Sequence, residues 1–374
     1  MSTQATRTYT DLNPSPRLLL GPGPSMVHPR VLRAMATPPV GHLDPDFLVI
    51  MNEIQELLRM VFETTNQLTI PISGTGSAGM EAALCNFIEP GDPILICVNG
   101  YFGERMVDMA GRYGAKVHRI DAEWGDVFSA SQVEEALRSS KAKIVAIVHA
   151  ETSTGALQPL EEIAEVAHKH GALLLVDAVT SLGGLPVAVD RVGIDICYSG
   201  SQKCLSCPPG LAPITVSPRA EEALRARRSP VANWYLDLTM VQKYWGAERS
   251  YHHTAPINMN YALREALRLV AEEGLEARFE RHRRNARMLW EGLEELGLTL
   301  HVPESRRLPT LTTVRVPDGV DEAAVRRRLL EEYNIEIAGG LGALKGKIWR
   351  IGLMGHSSRP ENVLTLLGAL KWIL

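Results

Sequence analysis

The sequence predicts an α/β protein: a doubly wound domain on a mostly parallel sheet, followed by a smaller C-terminal α+β domain. Three observations predict it. Short apolar runs of strand length recur through the first two thirds, amphipathic stretches separate them, and near Asn258 the texture changes to long charged helices with a few short strands. Leu68–Ser73, Ile94–Val98, Ile144–His149 and Leu173–Asp177 are nearly continuous in apolar residues, which suits strands buried on both faces of a parallel sheet. Ser131-Gln132-Val133-Glu134 reads as a capping box opening a helix. Leu160–His170 reads as another, stopped by Gly171. Further on, Arg264–Leu296 reads as long helices, Thr310–Val316 as a strand, Asp321–Tyr333 as a helix, Lys347–Leu353 as a strand, and Pro360 opens the last helix. The expected division is an extension at residues 1–20, a large domain at 21–265 and a small domain at 266–374.

Composition narrows the function classes. The 374 residues allow two domains with ample core, and 45% hydrophobic with 22% charged residues is ordinary for a soluble globular chain. A formal net charge of −4 gives no reason to expect nucleic acid. The arginine clusters Arg281/Arg283/Arg284/Arg287 and Arg326-Arg327-Arg328 lie among glutamates and read as solvated helix faces. No apolar run approaches the roughly 20 residues that span a bilayer, and Met1 to Pro16 is polar without a signal-peptide core, so a cytoplasmic protein without a membrane partner is the expectation. Five cysteines, an odd number in a long chain, argue against a disulfide framework. Cys204-Leu205-Ser206-Cys207 spells CxxC, but one pair without a second or a nearby histidine is a poor zinc signal, and no metal is expected.

Four places carry candidate chemistry. Ser73-Gly74-Thr75-Gly76-Ser77-Ala78-Gly79 follows the first core strand and opens a helix, where free N–H groups and the helix dipole form a phosphate site. It also matches G-x-G-x-x-G, yet Asn99 and Gly100 stand where a dinucleotide site needs a carboxylate. A monophosphate cradle from Gly76 and Ser77 amides with the Thr75 or Ser77 hydroxyl is therefore preferred over a nicotinamide site. Phe102, after the second strand, is placed either in the core or as a stacking platform. Asp177 closes Leu173–Asp177, where a buried carboxylate needs a partner; a helix N-cap and a bound cofactor's ring nitrogen both remain open. Lys203 follows Asp195-Ile196-Cys197-Tyr198 in a glycine- and serine-rich turn, one of nine lysines against thirty arginines. A lysine buried in low dielectric loses its proton readily and can condense with an aldehyde, the anchoring bond of pyridoxal phosphate (PLP) enzymes.

The order of these elements, with Lys203 26 residues after Asp177, resembles fold-type I PLP enzymes of the class V aminotransferase group, of the alanine–glyoxylate/serine–pyruvate type. The resemblance runs from Gly21-Pro22-Gly23-Pro24-Ser25 to Arg350-Ile351-Gly352-Leu353. It is most specific at Val176–Gly184, Tyr198–Lys203, Tyr251-His252-His253-Thr254 and Ala338–Gly342. It implies a seven-stranded, mostly parallel sheet in the large domain. By it, Lys203 is the cofactor-anchoring lysine and Asp177 the pyridinium partner, while Thr75, Gly76, Ser77 and Gln202 hold the phosphate. Phe102 stands where the family often has tryptophan, Thr152 is the hydroxyl beside the ring, and Val179 packs on the other face. Tyr251 and Thr254 reach the phosphate of the neighbouring subunit, which implies a homodimer. Arg350 holds the substrate carboxylate, a task suited to a guanidinium fork, and Gly23, Ser25, Gly41, His42, Gly339 and Gly340 line the pocket. The implied reaction is transamination between alanine or serine and glyoxylate or pyruvate, favoured over dicarboxylates because only one fork is evident. Cysteine desulfurases share the fold, but they carry histidine before the lysine and a cysteine on a late mobile loop. Here Gln202 precedes Lys203 and no cysteine lies beyond Cys207. A PLP-binding protein without activity would be expected to tolerate losing Lys203 or Arg350. A His252/His253 metal pair lacks further ligands.

Overall fold

A computed structural model describes residues 9–374, so the first eight residues of the expected N-terminal extension, half of the polar stretch Met1 to Pro16, lie outside it. Seven strands form the main sheet: β1 (Leu68–Ser73), β2 (Pro93–Val98), β3 (Lys116–Asp121), β4 (Ile144–Val148), β5 (Leu173–Asp177), β6 (Ile196–Tyr198) and β7 (Leu211–Val216). Their spatial order is β1-β7-β6-β5-β4-β2-β3. Only β7 runs antiparallel to its neighbours. The continuous apolar runs read from the sequence are therefore strands covered on both faces, and all five residues of β4 and of β5 are buried.

Two strands escape the sequence pattern for identifiable reasons. β3, the edge strand, reads Lys-Val-His-Arg-Ile-Asp and shows charged groups to solvent, which protects an edge from pairing with other chains. β7 is fully buried but carries Pro213, a residue that ordinarily speaks against a strand interior.

Three further strands, β8 (Leu311–Arg315), β9 (Ala338–Gly339) and β10 (Ile348–Gly352), make a second antiparallel sheet in the order β8-β10-β9. This sheet has its own core, with Leu20, Leu289, Leu293, Leu329, Trp349, Ile351 and Leu366 buried against helices 275–295, 322–333 and 360–373. The long charged stretch resolves into two helices, Ile257–Glu273 and Leu275–Glu295, broken at Gly274, whose φ of +80° a side chain would resist. Leu18–Leu19 pairs in parallel with Ile335–Glu336 and ties the start of the described chain to the small domain.

One local expectation is corrected. The capping box is not Ser131–Glu134 but Ser129 with Gln132: the Ser129 hydroxyl accepts from the Gln132 amide, and the Gln132 side chain returns to the Ser129 N–H, opening helix Ala130–Ser140. The arginine clusters are also not uniform. Arg326 and Arg328 pair with Glu322 and Glu332 one turn away, as a solvated helix face should. Arg281 instead binds Glu273 and donates to the Gly355 and Ser358 carbonyls.

Candidate active site

The parallel ladder between β5 and β6 sets Asp177 directly beside Tyr198, at the carboxyl ends of both strands. Ligands of open α/β sheets bind at this edge. Tyr198 donates its hydroxyl to Asp177 Oδ2 at 2.7 Å, and the Val179 amide donates to Oδ1 at 2.8 Å. Burial raises the Asp177 pKa, while Tyr198, the Val179 amide and the Lys203 and Arg105 cations oppose the rise. A cation placed against this carboxylate would settle its charge.

Lys203 follows β6 and is only 8% exposed. Burial lowers its pKa to about 8, so a useful share of the amine is neutral near physiological pH. Its Nζ donates to the Pro22 carbonyl. Gly23 adopts φ +114°, and a Cβ there would lie 2.7 Å from Nζ, so glycine is what lets this loop cross the amine. Ser25 sits behind the lysine: its hydroxyl donates to the Lys203 carbonyl at 2.7 Å and lies 3.2 Å from Ser206 Oγ. Its contacts are thus with the lysine turn.

A stability prediction follows from the buried amine. The folded-state pKa lies below the ordinary 10.5, so the unfolded chain binds the extra proton between about pH 8 and 10.5, and the cofactor-free protein gains stability as pH rises through that window. The same shift makes the charged amine cost roughly 3 kcal/mol at pH 7. Cofactor-free Lys203→Met protein should melt higher than wild type at pH 7, with the gap closing toward pH 10.5. Thermal unfolding at several pH values checks this.

Helix Gly76–Cys85 starts at the end of β1 with Thr75 as N-cap, and the Thr75 side chain makes no capping hydrogen bond. The first-turn amides of such a helix have no partner within it, which makes an anion site. The Arg105 guanidinium donates to Ser77 Oγ at 3.1 Å and lies over the Phe102 ring at 4.9 Å. Opposite, Gly200 approaches closely: a Cβ there would meet Gln202 Oε1 at 2.9 Å and the Gly76 Cα at 3.4 Å. Val179 lies against Gly76, its methyls 3.6 and 3.8 Å from where a Cβ would stand. Gln202 Oε1 is buried and has no hydrogen-bond partner among the described residues.

Arg350, on β10, brings the small sheet to this edge. It is buried, its Nε donates to the Gly339 carbonyl at 2.7 Å, and its Nη1 donates to the Thr152 carbonyl at 3.3 Å. Among the described residues, Nη2 has no acceptor. Burial lowers its pKa to about 10, with Glu151 opposing. The Thr152 hydroxyl bonds Thr180 at 2.5 Å. Gly340 is required by space alone, since a Cβ would strike the Leu344 carbonyl.

Tyr251 and Thr254 do not join this cluster within the chain. Tyr251 is 61% exposed, its hydroxyl 3.5 Å from Thr254 Oγ1. Gly41 accompanies them, because the adjoining His42 packs on the Tyr251 ring at 5.1 Å. His252 and His253 are spent locally, on each other, on Ser73 and on the Trp234 carbonyl. Cys204 and Cys207 are buried, and burial pushes the Cys204 thiol up to about 12, which removes the thiolate needed for easy oxidation.

The sequence model of the family described as aminotransferase class-V matches residues 18–358. The chain belongs to that family. Class V aminotransferases depend on PLP, and this chain is a PLP-dependent transaminase. It is 46% identical over 376 residues to the (S)-ureidoglycine–glyoxylate transaminase of Bacillus subtilis strain 168, covering 96% of this chain and 90% of that one. It is 44% identical over 359 residues to the alanine–glyoxylate aminotransferase of Rattus norvegicus, covering 95% and 87%. The crystal structure of an alanine–glyoxylate aminotransferase from Nostoc sp. superposes with a TM-score of 0.98 at 58% identity, covering 100% of this chain and 99% of that one.

The class V site fits PLP on its own features: an uncapped helix start for a phosphate, a buried carboxylate short of a cation, and a buried lysine of lowered pKa. Three residues of the site carry no signal of their role in the sequence. Tyr198 lies inside a motif stretch and Arg105 three residues after Phe102, but only the register to Asp177 and the contacts of the guanidinium with Phe102 and Ser77 show what they touch. Glu151, beside Thr152, has no sequence signal beyond its neighbour.

Proposed function

We propose that this enzyme transfers the amino group of alanine to glyoxylate. The observation that carries the reading is Arg350: a buried guanidinium with two donors tied to the carbonyls of Gly339 and Thr152 and one arm free to bind a carboxylate. A single free carboxylate donor at Arg350, with no second arginine fork evident beside it among the described residues, favours a substrate with a small, uncharged side chain. Lys203 would anchor the cofactor, and its amine, buried and of lowered pKa, is the base that would take the proton from the substrate Cα. Asp177, held by Tyr198, would keep the ring nitrogen protonated. Thr75, Gly76, Ser77 and Gln202 would hold the phosphate, Phe102 and Val179 would flank the ring, and Thr152 would lie beside it. When bound, PLP supplies the electron sink that makes the Cα proton removable.

Tyr251 and Thr254 are exposed, and in this reading they serve the phosphate of a second copy, so that the active form is a homodimer. Gel filtration with light scattering should show that dimer, and Tyr251→Phe should weaken PLP retention.

A second reading, transfer from (S)-ureidoglycine to glyoxylate, is favoured by the 46% identity to the Bacillus enzyme. A matrix of alanine, serine and (S)-ureidoglycine against glyoxylate and pyruvate separates the two. Alanine with glyoxylate should give the highest kcat/KM. A tenfold preference for (S)-ureidoglycine would replace the first reading with the second, and alanine released from cysteine with persulfide would replace both.

A further inference from the structure

Glu151 is fully buried next to Thr152, yet no step of the transamination uses it. Its Oε1 accepts from the Ser153 amide at 3.0 Å and from the Ser153 hydroxyl at 2.6 Å. Its Oε2 is buried and has no hydrogen-bond partner among the described residues. The same Ser153 hydroxyl accepts from the Tyr101 amide at 2.9 Å. Tyr101 begins the helix Tyr101–Arg112, whose N-cap, Gly100, has no side chain to offer. The helix that carries Phe102 and Arg105 is therefore capped from another segment, by Ser153 with the Glu151 carboxyl behind it.

The space around this contact is committed to it. Gly100 is extended, with φ 174°, so conformation alone does not demand glycine. A Cβ there would collide with Glu151 Cδ and lie 2.6 Å from Ser153 Oγ, so glycine is needed for the carboxyl to reach the helix start. A carboxylate at a helix N-terminus is stabilising, and the Phe102 amide lies near enough to favour its ionised form. Burial works against it and raises its pKa to about 7. A carboxyl with one oxygen unpartnered in the core is a poor choice for stability alone.

We propose that Glu151 is a positioning residue of the active site, which with Ser153 fixes the first turn of the Phe102 helix and so the aromatic face beneath the cofactor ring. The inference rests on the PLP-dependent reading of the site. Residues that lower stability to serve a site reveal themselves when replaced by a neutral isostere.

The test is Glu151→Gln, with Ser153→Ala as the companion variant. Melting of the cofactor-free proteins is measured, with PLP affinity by quenching of intrinsic fluorescence and ring orientation by visible circular dichroism of bound PLP. The expected result is a melting temperature at or above wild type for Glu151→Gln, PLP affinity about tenfold weaker, and a reduced dichroic band in both variants. PLP affinity and dichroism equal to wild type would overturn the proposal, whatever the melting temperature. So would weakened binding in Glu151→Gln with Ser153→Ala unaffected. Wild-type protein that binds no PLP would instead overturn the cofactor reading itself.

Discussion

Lys203→Ala protein should retain its fold, lose covalent retention of PLP, and lose transamination by at least about 10²–10⁴-fold, the range that a positioned acid–base group supplies. The expectation rests on position. Lys203 lies five residues beyond Tyr198, the residue at the end of β6 that holds Asp177, and one buried segment thus delivers both the amine and the clamp on the carboxylate. Its amine is desolvated, with its pKa lowered to about 8, and the Asp177 charge draws the other way. Lys203→Arg should fail as completely, because a guanidinium stays protonated and is no nucleophile. Added alkylamines should restore part of the proton transfer in Lys203→Ala and none of the covalent attachment. Rates of the half-reaction with alanine, with and without amine, measure this.

Replacing Arg350 should be the second large effect. Truncating one partner of a buried, hydrogen-bonded charge pair costs about 2–5 kcal/mol. Arg350→Ala should therefore lower kcat/KM for alanine by about 30-fold to several thousand-fold, while PLP remains bound through Lys203 and the phosphate cradle. Arg350→Lys should recover little, because the fork that spans Gly339, Thr152 and a substrate carboxylate becomes a single point donor. The variant should still fold. Burial already lowers the Arg350 pKa to about 10, so the native structure carries a cost for holding that charge, which offsets part of the loss of its bonds to the Gly339 and Thr152 carbonyls. Steady-state kinetics across alanine concentrations, with absorbance of the bound cofactor as control, checks both statements.

Much of the fold and of the site is legible in the residue pattern alone. Continuous apolar runs mark the parallel strands because burial on both faces leaves no room for alternation, as in β5. The candidate phosphate turn, Asp177 and Lys203 stand out in the sequence because each puts an unusual residue at a strand end. What the pattern hides are relations between segments. That Tyr198 faces Asp177 depends on register between β5 and β6, and that Arg105 reaches Ser77 depends on two helices meeting. Ser25 reads as a pocket residue because it sits in the glycine loop. That its hydroxyl donates to the Lys203 carbonyl is a further relation between segments that the pattern does not show. β3 and β7 elude the pattern because an edge strand shows charges and because an internal proline reads as a strand breaker.

The central claim is that the amine at position 203 carries the cofactor opposite the carboxylate at position 177. Borohydride reduction of the PLP-loaded enzyme, followed by peptide mass spectrometry, tests it most directly. The account predicts a single pyridoxyl-modified peptide, with the modification on Lys203. Modification on another lysine, or none with PLP bound and activity intact, would contradict it.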